Sequence, residues 1–315
     1  MKFKYPVLLG ALLAPLFAAI SQSALANIYI TFDYRYDSSN FFTGENSSRQ
    51  NLLNAAASVF ETRFQDSLTA ISSSGSDRFD ARFFQPDTGL NTRLSNFSVA
   101  PDQIVVFVGT YNMGGTLASG GPGSVAGVGS PGFFDNALSR GQDGALLPMQ
   151  TDFGPWGGAI SFNNNSNWYF DPDITTDEPF PNRYDFYSVA VHELAHVLGF
   201  GGAPSFNNLS AGGLFTGTAV HDLYGSNPPL TRDGHWAPKL SYQGQEAAMD
   251  PSIATNQRSH FTELDYAAMN DIGWQVSPIP EPETWTLMIA GLGLLGGHLR
   301  ASVRKSERKR GERKS

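Results

Sequence analysis

The chain has 315 residues, 21 Lys and Arg against 29 Asp and Glu, a formal net charge of −8 and no cysteine. Without cysteine there is no disulfide framework, no thiolate nucleophile and no thiolate metal site. A hydrophobic share of 41% allows one large domain or two lobes around a substantial core.

At the start, Lys2 and Lys4 precede an apolar run from Pro6 to Ile20, and Ala24-Leu25-Ala26 supplies the small residues of a signal-peptidase site. Residues 1–26 are read as a signal peptide, with the body starting at Asn27. Asn27–Phe32 alternates and is β-branched, as a first strand is. From Arg49 to Leu68 the residues Leu52, Leu53, Ala56, Val59, Phe60 and Phe64 recur at helical spacing, and Ser47 or Ser48 can cap the start. Further strands are expected at 78–84, 103–108 and 158–162. The glycine-rich stretch Gly114–Gly132 is read as a loop, because it lacks the Lys-Ser/Thr ending of a phosphate loop. Asp171, Asp173, Asp177 and Glu178 are the best candidates for Ca²⁺, although without EF-hand spacing a solvated loop is the simpler reading.

The most informative segment is His192-Glu193-Leu194-Ala195-His196, within the apolar run Val189–Phe200. Asp185–Val191 leads into it with no Pro or Gly, and Gly199 provides a helix stop. On a helix the two histidines fall at i and i+4, so two imidazole nitrogens can reach one tetrahedral Zn²⁺. Glu193 then stands beside the open position, where a carboxylate can take a proton from a zinc-bound water. This is the H-E-x-x-H pattern of metal-dependent peptidases. A third ligand must come from the remaining histidines of the body, His221, His235 or His260. His260 is the weakest candidate, since a capped helix over 263–272 opens just after it.

Near the C-terminus Pro280-Glu281-Pro282 is followed by the apolar segment Trp285–Leu299 and by eight basic residues from Arg300 to Lys314. The apolar stretch is short for a stable transmembrane helix, and the basic cluster orients it inward. This ending resembles the PEP-CTERM sorting signal of Gram-negative bacteria. The resemblance implies handling of residues 280–315 by an exosortase-type enzyme, transient inner-membrane association, and delivery to the periplasm, cell surface or extracellular matrix. Removal of both ends leaves 11 basic against 25 acidic residues, a net charge of about −14 that argues against nucleic acid as a partner.

The order of strand, helix, strands and H-E-x-x-H helix resembles the N-terminal lobe of metzincin metallopeptidases. Their pattern continues to Gly199, which matches, and then to a third histidine, where this chain has Gly202. The leishmanolysin branch places its third histidine far downstream in a Gly/Ser-His-Trp context with a methionine turn after it, and Gly234-His235-Trp236 and Met249 are similar. The resemblance thus implies His235 as third ligand, with His221 as the alternative, and Met249 as the methionine turn. It also implies a substrate strand at Gly157, Gly158, Ala159 and Ile160, which a peptide joins as an added antiparallel strand. Tyr224 or Tyr266 is the expected oxyanion donor. The fold expected is mixed α/β (α+β), a two-lobed zincin: residues 27–200 carry a twisted sheet, a packing helix and the active-site helix, and 201–279 form a smaller loop-rich lobe. The function expected is that of an exported zinc-dependent endopeptidase with Glu193 as general base and a protein or peptide substrate. The alternative is a non-catalytic zinc-containing surface or matrix protein associated with exopolysaccharide.

Overall fold

The computed structural model describes residues 27–176 and 178–278. The signal peptide, Asp177 and the sorting tail with its apolar segment Trp285–Leu299 lie outside the described residues. Among the described residues no helix is long and apolar enough to cross a membrane.

The fold is mixed α/β, with several sheets and six α-helices among the described residues. Strands β1 (Tyr29–Tyr36), β2 (Arg78–Phe84), β3 (Asn91–Phe97), β4 (Gln103–Tyr111), β5 (Ala118–Pro122), β6 (Ser124–Val128) and β7 (Gly157–Asn163) make two sheets. The main sheet has the order β1-β4-β7-β5, and the other has the order β3-β2-β6. In the main sheet β1, β4 and β7 are parallel, whereas β5 runs antiparallel to β7.

Strand β4 is apolar along its length because both of its faces are covered. Ile104, Val106 and Val108 join α1 (Arg49–Glu61) and α3 (Phe186–Val197) in the larger core. Val105 and Phe107 point the other way, into a second core with Phe79 and Phe83 of β2. Helix α2 (Pro131–Ser139) and the turn after it are fixed to this side by Arg140. Its fully buried guanidinium makes no ion pair among the described residues and donates instead to the carbonyls of Thr69, Ala100, Gln103 and Pro155.

The short strands β8 (Trp168–Tyr169) and β9 (Tyr184–Asp185) lead into α3. Asp185 caps that helix by accepting the Ser188 amide, and Arg258 pairs with both Asp185 and Asp171. Residues 201–278 contribute α4 (Pro204–Asn208), α5 (Thr218–Tyr224), α6 (Glu263–Asp271) and two-residue ladders. Trp236, Met249, Leu264 and Trp274 of this segment belong to the same continuous core as α3.

Two expectations are corrected. The glycine-rich stretch is not a loop alone, since it forms β5, β6 and the start of α2. The expected helix over 49–68 stops at Glu61. Beyond it Gln65 donates to the Gln275 carbonyl and Phe64 bridges to Val276, so this backbone is drawn into pairing with the C-terminal segment. Phe64 and Leu68 remain buried, so the apolar spacing reported burial correctly but not the backbone.

Candidate metal centre

Helix α3 carries His192 and His196 on one face, and Gly199, at φ 110°, ends it. The chain then turns back through Gly201, at φ 76°. A side chain at Gly234 would come within 2.7 Å of the Gly201 Cα, so two glycine backbones pack directly on one another. This contact brings the following residue, His235, to the end of α3.

The three imidazoles converge. Their Nε2 atoms are 3.1 Å (His192–His196), 3.1 Å (His192–His235) and 3.0 Å (His196–His235) apart. His192 Nδ1 donates to the Ala248 carbonyl at 2.8 Å, and His196 Nδ1 donates to the Phe200 carbonyl at 2.9 Å. A carbonyl can only accept, so these contacts fix the ring protons on Nδ1 and leave the Nε2 lone pairs facing inward. His235 Nδ1 is buried without a hydrogen bond, and the Asp233 carboxylate lies 3.4 Å away, too far for a strong one. Lone pairs at such separations repel one another unless a cation lies among them. The donor set therefore fits a divalent metal of the kind that imidazole nitrogens hold, with Zn²⁺ foremost.

Burial holds His192 well below the usual imidazole range, with His196 adding to the effect, and it lowers His196 to about 4. Both rings are thus neutral near pH 7, as metal ligands must be. Burial also pushes Glu193 up to about 8, while the Gly120 backbone favours its charged form and offsets part of the rise. A bound cation acts in the same charge-favouring direction.

Met249 is fully buried in a turn, Ala247–Asp250, closed by the Asp250 amide on the Ala247 carbonyl. Its own carbonyl accepts the amide of Trp236, next to His235, and its neighbour Ala248 holds His192. Asp265 ties these pieces together. It accepts from Trp236 Nε1 at 2.8 Å, from the Ala248 amide at 3.0 Å and from Thr262, whose hydroxyl in return caps α6. The Thr262-x-x-Asp265 spacing announces the cap but not this second role, whose partners are distant in sequence.

A cleft of about 630 Å³ opens over the triad, bounded by Gly115–Pro122, Tyr184, Glu193, Asp233 and Ile253. Gly157–Ile160 does not line it as an edge strand. That segment is β7, paired with β4 on one side and β5 on the other. The edge is β5, and the signal missed was small size: a Cβ at Gly120 would lie 2.5 Å from the Glu193 carbonyl, so only glycine lets the strand approach α3 this closely.

The other candidates lie elsewhere. His221, on α5, is exposed and faces Asp222, and His260 is exposed. Tyr266 spends its hydroxyl on the Val59 carbonyl, and neither it nor Tyr224 lines the cleft. Asp171 is taken up by Arg258, and Asp173 accepts from Thr175. Among the described residues, His192, His196 and His235 are the only group of three or more such side chains converging as metal ligands do.

No curated protein and no solved structure matches the chain. A family model, the PEP-CTERM protein-sorting motif, matches residues 278–305. The chain thus carries the signal that marks proteins for export to the cell envelope or surface of Gram-negative bacteria and for recognition by an exosortase-type sorting enzyme.

Proposed function

We propose that this exported protein is a zinc-dependent endopeptidase with a metzincin-like, two-lobed arrangement. The observation that carries the reading is the convergence of three Nε2 atoms, two of them fixed as bare lone pairs, beside a buried carboxylate on the wall of an open cleft. The antiparallel edge strand over the H-E-x-x-H helix, and the buried methionine turn whose main chain holds both His192 and the residue after His235, support the same reading.

His192, His196 and His235 would hold the ion, each through Nε2. When bound, Zn²⁺ polarises a carbonyl and makes water a stronger acid. Glu193, whose charged form a bound cation would favour, accepts a proton at its carboxylate and returns it to the leaving amine. Strand β5 offers its free edge to an extended peptide, whose backbone amides and carbonyls continue the sheet. Gly121 leaves the face of β5 opposite α3 open, since nothing lies within 4 Å of where its Cβ would be.

The non-catalytic alternative gives the triad a structural task, for which a closed set of four protein ligands is the rule. Glu193 beside an open cleft favours catalysis instead. The test is Glu193→Gln in the zinc-loaded protein, assayed on unfolded protein substrates. Metal content should stay at the wild-type level while hydrolysis falls by about 10²- to 10⁴-fold. Undiminished hydrolysis would overturn the assignment.

A further inference from the structure

The cleft does not end at the histidines. The chain that lines it as Gly115–Pro122 continues as Pro122–Val125 along a second cavity of about 580 Å³, and Pro122 and Gly202 border both. A Cβ at Gly202 would touch Pro122 at 4.0 Å. Glycine there keeps the saddle between the two cavities low, which gives a use to the position where the extended metzincin pattern has histidine.

The second cavity is apolar. Its far wall is built from Leu138 of α2, Leu146 of the following turn, Phe153 and Trp156. Leu138 is 52% exposed and Leu146 47%, and on the same turn Leu147 is 49% and Met149 70% exposed. So much apolar surface gathered on one side of an acidic protein marks a binding surface. The wall is also preformed: Ser130 caps α2, Pro131 begins it, and Arg140 fastens its end to four backbone carbonyls. Little ordering entropy remains to oppose a ligand.

We propose that this cavity is a secondary substrate site, which takes a bulky aliphatic or aromatic side chain of the protein substrate on the N-terminal side of the cut. The inference rests on the peptidase reading. Strand β5 runs from Ala118 to Pro122, so a peptide antiparallel to it has its N-terminal residues at the Pro122 end. From there the peptide crosses the Gly202 saddle into the second cavity.

The test compares the zinc-loaded wild type with Leu138→Asp/Leu146→Asp, and with the milder Leu138→Ser/Leu146→Ser in case the charges impair folding. Two synthetic peptides serve as probes. A short one covers only the residues flanking a cut found in a random peptide library, and a long one adds an upstream Leu-Phe pair. Wild type should prefer the long peptide by about tenfold in kcat/KM. The variants should lose that preference and cleave the short peptide at the wild-type rate. An unchanged preference in folded variants would overturn the proposal. If wild type cuts no member of the library, the peptidase reading fails, and fluorescence anisotropy of one unstructured peptide with and without the Leu-Phe pair decides the cavity separately. Tighter binding of the Leu-Phe peptide to wild type than to the variants upholds the cavity site, and equal binding overturns it.

Discussion

Two histidines of the triad are held from behind. Ala248 and Phe200 present carbonyls to His192 and His196, so ring orientation is set before any ion arrives. His192 and His196 were legible from their i, i+4 spacing alone. His235 was not, because no local periodicity links a residue to a partner 39 positions away, and only its Gly-His-Trp setting singled it out. We predict that His235→Ala lowers zinc affinity by well over about 100-fold, since losing only the outer hydrogen bond of a ligand costs roughly 10- to 100-fold. His221→Ala should retain one zinc per chain. Metal content measured by atomic emission after dialysis against a buffered zinc standard checks both.

Among the elements, those with a strong period were readable: β2, β4, β7, α3 and α6 fall within a few residues of expectation. Strand β5 was not, because Ala-Ser-Gly-Gly-Pro has no alternation and no β-branched residue. Its strand geometry comes from pairing with β7 and from close packing on α3, which are tertiary causes that a local window does not contain. Asp265 illustrates the same point within α6. As a cap residue it is local, yet its carboxylate also accepts from Trp236 and from the Ala248 amide, 17 or more residues away. Asp265→Ala strands these buried donors and should destabilise the protein by about 3–5 kcal/mol. Asp265→Asn, which keeps the acceptor oxygen, should cost less. Urea denaturation of both variants measures the difference, and equal stability of Asp265→Ala and wild type would contradict the hub described for this residue.

Over the whole molecule, the segment after α1 is joined to the last described residues: Phe64 bridges Val276, and the Gln275 amide donates to the buried Asp66 carboxylate at 3.0 Å. Burial raises Asp66 to about 6, Asp152 adds to the rise, and the bond from Gln275 opposes it. A carboxyl whose pKa is higher folded than unfolded contributes stability that is complete below the unfolded value and is lost as pH rises through the folded one. Asp66→Asn keeps an acceptor for Gln275 and removes the charge. Its stability advantage over wild type should grow by about 2–3 kcal/mol between pH 4 and pH 8, and a difference independent of pH would contradict this account of Asp66. The broad α/β class could be read from the sequence because apolar periods are local, but the sheet order and the second core under β2 and β3 could not, because strand partners are chosen by packing. The central claim is that one metal ion binds to His192, His196 and His235 with a position left open toward the cleft. The zinc K-edge X-ray absorption spectrum of the purified protein tests it most directly. The account predicts three imidazole nitrogens at about 2.0–2.1 Å and one non-protein oxygen; four protein ligands, or protein that takes up no zinc, would contradict it.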